Sequence, residues 1–403
     1  MSLNATPLAQ RIHIGIFGKR NAGKSSLLNA LTGQNISIVS DVLGTTTDPV
    51  LKTMELLPVG PVVFIDTPGL DDDSVLGKER VEKSFQILRK TDFILVIIDA
   101  VTGKTSEDTK FLALLKEKKL PHLIVYNKND LAQSRESEDL NEISVSAKTK
   151  HNINLLKKKI IEALTTEEKS PPIVADLLSP ADFAVLVIPI DKAAPKGRLI
   201  LPQQQTIRDI LDANATAIVV KEHELKDTLS QLGKKPKLVI TDSQVFKQVE
   251  ADTPKDILLT SFSILFARYK GDLEILAAGV TAIDALNDGD RVLISEGCTH
   301  HRQCNDIGTV KLPDWIRNYT GKNINFEFTS GTEFPADLSS YKLIIHCGGC
   351  MLNEKEMKYR LSYSSDGNVP ITNYGILIAY IHGILKRSLE PFPKIHQLFE
   401  EKV

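Results

Sequence analysis

The sequence predicts an α/β protein of three domains with mostly parallel sheets, and three observations carry that expectation. Short apolar runs, at 61–65, 93–98, 122–126, 182–190, 217–220, 238–241, 291–295, 325–329 and 343–345, alternate with stretches of helical periodicity along the chain. That order builds parallel sheets with helices on their faces. A G-x-x-x-x-G-K-S segment at 18–25 sits between a strand-like run, 11–17, and a helical pattern, 26–31, the strand–loop–helix context of a phosphate-binding loop. The polar, proline-punctuated stretch Glu167-Glu168-Lys169-Ser170-Pro171-Pro172 reads as a joint between domains. With 403 residues and about 150 residues per domain, the expected divisions are 1–168, 172–265 and 266–403.

Composition narrows the class. Hydrophobic residues make up 42% and charged residues 25%, as in an ordinary soluble chain. A net charge of −2 offers no basic field to attract nucleic acid, so no nucleic-acid partner is expected. The start, Met1-Ser2-Leu3-Asn4-Ala5-Thr6, lacks the charged-then-apolar build of a signal peptide. The apolar runs fall far short of the roughly 20 residues that span a bilayer, so no membrane role is expected. Four cysteines in so long a chain are no disulfide framework, and the expectation is a cytoplasmic protein with reduced thiols.

The phosphate loop has a clear physical logic. Its backbone N–H groups and the following helix N-terminus cradle phosphates, Lys24 reaches the β/γ oxygens, and the Ser25 hydroxyl holds Mg2+. Gly18, Asn21, Ala22, Gly23, Lys24, Ser25 and Ser26 are the candidates on this side of the ligand. Further on, Asn127-Lys128-Asn129-Asp130 matches the N-K-x-D element with which GTPases read guanine, and Ser146-Ala147-Lys148 resembles the S-A-K element behind the same base. Asp66-Thr67-Pro68-Gly69 matches the D-x-x-G element, in which the aspartate meets magnesium through water and the glycine senses the γ-phosphate. In this order, these elements identify a P-loop GTPase fold that binds GTP and Mg2+.

Two details place it within that class. Leu70 stands where Ras-like proteins carry a glutamine that positions water. Asn21 and the segment Gly44-Thr45-Thr46-Thr47-Asp48 resemble the TrmE/Era/Der branch. That resemblance implies K+ bound beside Asn21 in place of an arginine finger, slow potassium-stimulated hydrolysis, and Thr46 as the switch threonine on magnesium, with Thr45 and Thr47 as alternatives.

The middle third alternates strands with helices at 206–213, 222–232 and 244–250, and carries no phosphate loop, metal spacing or catalytic constellation. Asp182, Lys192 and Arg198 read as surface charges. A domain with a core and no site suits an assembly surface, and sheet-edge pairing between two copies is one mode.

Every cysteine falls in the last third. Cys298-Thr299-His300 is followed, after residues 301–345, by His346-Cys347-Gly348-Gly349-Cys350, with Cys304 as the fourth thiol. Thiolates are soft ligands for zinc, copper(I) or iron–sulfur clusters, and C-x-x-C is a two-point clamp. Gly348 and Gly349 free the backbone to turn N–H groups toward sulfur. Both cysteine segments follow strands, at 291–295 and 343–345, and in open α/β sheets ligands gather at the carboxyl ends of strands. If those strands are neighbours, Cys298, Cys347 and Cys350 converge. Zinc and a four-iron cluster both fit the residues at this point, with His300, His301, His346, Cys304 and Asp306 as candidates for a fourth ligand or a supporting contact. A long helix is expected over 268–286, and the apolar stretch 375–385 reads as a core helix closed by Lys386 and Arg387.

The GTPase motifs, the siteless middle and C-x-H…H-C-x-x-C together resemble the HydF family of (FeFe)-hydrogenase H-cluster maturation GTPases, as do Met351-Leu352-Asn353 and Pro370-Ile371-Thr372-Asn373-Tyr374-Gly375. The resemblance covers essentially the whole chain. It implies a 4Fe–4S cluster on Cys298, Cys347 and Cys350 and a middle dimerisation domain, hence a homodimer. It also implies a scaffold or carrier role, in which a two-iron H-cluster precursor is received with the help of two radical-SAM maturases and passed to apo-(FeFe)-hydrogenase. The alternative reading is an RNA-modification or ribosome-assembly GTPase with a structural metal.

Overall fold

The computed structural model describes residues 6–33, 50–67, 86–132, 139–165, 171–190, 199–297, 306–331 and 333–400. They fall into two compact units that divide between Lys169 and Ser170. The sequence candidates Thr45, Thr46, Thr47, Gly69, Leu70, Lys192, Arg198, Cys298, His300, His301 and Cys304 lie outside the described residues.

In the N-terminal unit, six strands form one sheet: β1 (Ile12–Gly18), β2 (Val50–Leu56), β3 (Gly60–Asp66), β4 (Phe93–Asp99), β5 (His122–Asn127) and β6 (Glu142–Ser144), in the order β2-β3-β1-β4-β5-β6. All neighbours run parallel except β2 against β3. A strand buried on both faces reads as an unbroken apolar run, and β4 is one: Phe93, Leu95 and Ile97 join one core cluster, Ile94, Val96 and Ile98 the other. Chain order reverses at β1, whose neighbours are β3 and β4. That switch point is where an open α/β sheet opens a crevice for ligand. Helix α1 (Lys24–Thr32) leaves from it, α2 (Ser106–Glu117) starts on a Thr105–Asp108 capping box, and α3 (Ile153–Thr165) follows β6.

The second unit holds two four-stranded sheets, all of whose pairs are parallel. The first contains β7 (Phe183–Val187), β8 (Thr216–Val220), β9 (Leu238–Thr241) and β10 (Leu258–Ser261), in the order β10-β9-β7-β8. The second contains β11 (Arg291–Glu296), β12 (Asn325–Ser330), β13 (Leu343–His346) and β14 (Ile371–Asn373), in the order β12-β11-β13-β14. One continuous core runs through both, from Val185 and Ile240 to Ile294 and Ile345. The expected boundary at 265/266 falls inside a helix, Phe262–Lys270, which is buried on most of its surface.

Three helical expectations are corrected. The helix expected over 268–286 is broken at Gly271, because Asp272 accepts hydrogen bonds from the N–H groups of Glu274 and Ile275 and so starts a new helix, Leu273–Gly279, which tightens into a 3-10 turn over Val280–Ala285. The helix expected over 222–232 splits into a 3-10 turn, Glu222–Glu224, and Leu225–Gln231. The apolar stretch from 375 is a core helix, Tyr374–Ile381, with Ile376, Leu377 and Ile378 buried, each worth about 1.5–3 kcal/mol. It ends before Lys386 and Arg387, however, and Arg387 instead donates to the carbonyls of Glu250, Thr253 and Pro254. Among the described residues no helix is long and apolar enough to cross a membrane.

Gly279 marks the tightest join in this unit: a Cβ there would lie 2.1 Å from the Ile371 carbonyl oxygen on β14. Gly279→Ala is therefore expected to destabilise the second unit by about 1–3 kcal/mol through overpacking. Denaturant unfolding followed by the fluorescence of the single tryptophan, Trp315, checks this; an unchanged midpoint would refute it.

Candidate functional site

The first site lies at the carboxyl ends of β1, β3 and β5. Gly23 has φ +88°, a left-handed conformation that favours glycine, and a Cβ there would lie 2.3 Å from Asn127 Nδ2. That contact ties two distant motifs together. Asn127 donates from Nδ2 to the carbonyl of Ala22 at 3.1 Å, and its Oδ1 accepts from the Ala147 N–H at 3.1 Å. One buried side chain thus holds the phosphate loop and the S-A-K segment to a common centre. Ser146 Oγ donates to Asp130 Oδ1 at 2.7 Å and accepts from the Thr149 N–H, which orients the carboxylate expected to read guanine. Lys128, at φ +66°, pairs with Asp99 at 2.7 Å. Burial would raise the Asp99 carboxyl, but the Lys128 hydrogen bond and the Val101 N–H hold it below its ordinary range. Asn21, at φ +63°, Ser26 and Lys148 are exposed around the same loops.

On the phosphate side, Lys24 Nζ donates to the carbonyls of Gly18 at 2.9 Å and Lys19 at 2.7 Å, arching over the loop. Ser25 Oγ donates to Asp66 Oδ2 at 2.6 Å, while the buried Oδ1 of Asp66 has no partner among the described residues. Burial pushes the Asp66 carboxyl up, against the Ser25 hydroxyl and the charges of Lys24 and Lys52. A hydroxyl and an unsatisfied carboxylate oxygen side by side are hard oxygen donors, which fit Mg2+.

The second site lies at the carboxyl ends of β11 and β13. These strands pair directly, with Ser295 opposite His346, so the segments leading into Cys298 and Cys347 leave the sheet side by side. The Gly297 N–H donates to Cys347 Sγ at 3.0 Å, and the Gly349 N–H reaches the same sulfur at 3.4 Å. Gly349 adopts φ +61°, and its Cβ would meet Met357 Sδ at 2.7 Å, so this turn takes glycine for both reasons. Cys347 and Cys350 are half-buried thiols.

The candidates for a fourth ligand separate. His346 is fully buried, and both ring nitrogens are engaged: Nδ1 lies 2.7 Å from the Cys347 carbonyl and Nε2 2.9 Å from Arg360 Nη1. A guanidinium only donates, so Nε2 accepts, Nδ1 carries the proton, and the ring supports the loop rather than facing a metal. Burial and the Arg360 charge pull its pKa down to about 3. Asp306 Oδ2 accepts from Gly308 N, Thr309 N and Thr309 Oγ1 and starts the turn of Ile307–Lys311. Among the described residues alone, no group of three or more His, Cys, Asp or Glu forms a metal site.

The structure adds residues that motif reading missed. Arg360, fully buried on the helix Glu354–Asp366, donates to Glu356, Ser295 and the Gly331 carbonyl as well as to His346, and its guanidinium packs 5.0 Å from the Phe334 ring centroid. Lys270, 5% exposed, donates to the carbonyls of Gly349, Cys350 and Leu352. Tyr374 donates to Glu296, and burial, Glu296 and Cys347 push its phenol far up. No spacing rule announces Arg360 or Lys270; Lys270 alone gave a signal, a charge closing the mostly apolar stretch 262–267.

Comparisons with known proteins match these parts. Residues 13–128 match the family model described as 50S ribosome-binding GTPase, 173–271 the hydrogen maturase F dimerization domain, and 274–391 the hydrogen maturase F tetramerization domain. Similar curated proteins include the tRNA modification GTPase MnmE of Dechloromonas aromatica, 35% identical over 159 residues (38% of this chain, 35% of that protein). GTPase Der of Kosmotoga olearia is 34% identical over 134 residues (32% of this chain, 30% of that protein). The chain thus spans about a third of the length of these relatives. Among solved structures, Aquifex aeolicus Era bound to GDP.AlF4- matches at 23% identity with a TM-score of 0.34, covering 55% of this chain and 98% of that one.

Asn127→Ala removes the link between phosphate loop and base-side loop and strands the acceptors of a buried site. A loss of about 1–3 kcal/mol, or about 5–150-fold weaker GDP binding, is expected by titration calorimetry; unchanged affinity would refute the bracing role.

Proposed function

Since the chain belongs to the hydrogen maturase F family, we propose that it is a GTP-hydrolysing assembly protein for (FeFe)-hydrogenase. In this reading it holds a 4Fe–4S cluster on Cys298, Cys347 and Cys350. It receives a two-iron H-cluster precursor made with two radical-SAM maturases, and passes that cargo to apo-hydrogenase in the cytoplasm. The observation that supports this most is the 3.0 Å hydrogen bond from Gly297 N–H to Cys347 Sγ. It joins the chain neighbour of Cys298 to the sulfur of the C-x-x-C motif, although the two lie 50 positions apart in sequence.

The residues fit such a cluster. Two N–H groups directed at one sulfur stabilise the thiolate form that binds iron, and half-buried thiols leave one side of the loop open to cargo. When bound, the cluster supplies an iron with an exchangeable fourth ligand, to which a bridging group of the cargo can attach. The chain holds the loop still. His346 and Arg360 brace it from the sheet, and the remaining candidates His300, His301 and Cys304 stand beside Cys298 in sequence.

The N-terminal unit binds GTP with Mg2+ at Ser25 and Asp66, reads guanine with Asn127, Lys128 and Asp130, and takes K+ at Asn21. GTP binding and hydrolysis then regulate partner binding or release. Two copies associate through the segment 173–271. There the edge strand β8 has an unpaired side among the described residues and an apolar Val219 that is 47% exposed, and an open sheet edge is a template for a second chain. The ribosomal or tRNA reading rests on the GTPase matches alone and leaves the second unit without a role.

Anaerobically reconstituted protein is expected to be brown and to carry iron and acid-labile sulfide. Cys298→Ala, Cys347→Ala and Cys350→Ala each remove the cluster and the ability to activate apo-hydrogenase while GTP hydrolysis stays largely unchanged. A colourless protein with one zinc, or cluster retention in all three variants, would overturn the proposal. Separately, hydrolysis is expected to run several-fold faster in K+ than in Na+; equal rates would remove the potassium assignment.

A further inference from the structure

Lys270 ends the helix Phe262–Lys270 and lies almost wholly out of solvent. Its Nζ donates to the Leu352 carbonyl at 2.9 Å and to the carbonyls of Gly349 and Cys350 at 3.2 Å each. Three carbonyl acceptors match the three N–H bonds of an ammonium, whereas a neutral amine offers two. Burying an ammonium is costly unless opposite charge lies nearby, and among the described residues no carboxylate comes within ion-pair distance of Lys270. All three of its acceptors belong to the C-x-x-C loop and the residues just after it, so thiolates at Cys347 and Cys350 would place negative charge beside this cation.

The lysine also sets the loop's orientation. In a planar trans peptide the C=O and N–H point in opposite directions. Carbonyls of Gly349, Cys350 and Leu352 drawn to Lys270 therefore turn the N–H groups of Cys350, Met351 and Asn353 away from it. The lysine belongs to the segment matched as the dimerization domain and the loop to the segment matched as the tetramerization domain, so one side chain bridges the two.

Resting on the cluster reading above, we propose that Lys270 is the positioning residue and counter-charge of the C-x-x-C loop. It fixes which face of the loop presents N–H groups, and its ammonium offsets part of the negative charge of a cluster held by Cys347 and Cys350.

The test uses the full chain, reconstituted anaerobically, as wild type and as Lys270→Met, Lys270→Gln and Lys270→Arg. The midpoint potential of the bound cluster is measured by mediated titration, and iron loss is followed with a ferrous chelator. Methionine and glutamine remove the charge, so both are expected to shift the potential to more negative values and to speed iron loss about tenfold, the scale seen when groups behind metal ligands are removed. Arginine keeps the charge and is expected to keep the wild-type potential. GTP hydrolysis is expected to be the same in all four. Potentials in Met and Gln equal to wild type would overturn the proposal, even if iron were lost faster as the unfolding midpoint fell, since that pattern is structural only. A shift in Arg as large as in Met would overturn it too. If Lys270→Met does not fold, the comparison of Gln with Arg decides. Wild type that takes up no cluster would instead sink the cluster reading itself.

Discussion

The parallel pairing of β11 with β13 is the constraint on which the second unit's chemistry depends. Its register, Ser295 opposite His346, brings two chain segments to one edge of the sheet, and a slip of one residue would turn every side chain on one strand to the other face. The pairing is secured beneath the edge. Arg360 reaches both members of the register pair, Ser295 through Oγ and His346 through Nε2, while Glu356 sits 2.9 Å from its Nε. A buried guanidinium carries a desolvation cost of several kcal/mol, which its four hydrogen bonds, to Glu356, Ser295, His346 and the Gly331 carbonyl, offset.

Both units place their chemistry by the same topological rule and then diverge in chemistry. Strand order reverses at β1 in one sheet and at β11 in another, and in each the loop after the reversal carries the candidate ligands. At β1 the loop is shaped to hold an anion: left-handed Gly23, a helix N-terminus and Lys24 surround the phosphate position. At β11 and β13 the donors point at sulfur instead. Asn127 and Lys270 do matching work in their own units, each tying a loop to an element distant in sequence through backbone carbonyls.

Much of this was legible in the sequence because the signals were local. The phosphate loop, the N-K-x-D and S-A-K elements, and strands such as β9, β11 and β13 follow from residue spacing and unbroken apolar runs. What escaped depends on long-range partners. The helix break at Gly271 is set by Asp272 capping its own N-terminus, which competes with a helical pattern that otherwise continues. The helix Glu354–Asp366 is polar enough to look like surface, yet Glu356 and Arg360 are buried in it because a network satisfies them. Lys270 escaped for the same reason: lysine belongs on the surface unless something inside accepts its protons. β14 has only three residues, too few for periodicity to register.

In the proposed function, Cys298, Cys347 and Cys350 bind one shared iron–sulfur centre. Crystals of the anaerobically reconstituted chain, with anomalous diffraction collected on both sides of the iron and zinc absorption edges, test it most directly. The predicted result is a single iron-specific peak cluster within bonding distance of all three sulfur atoms. A zinc-specific peak there, or iron bound without one of the three sulfurs, would contradict it.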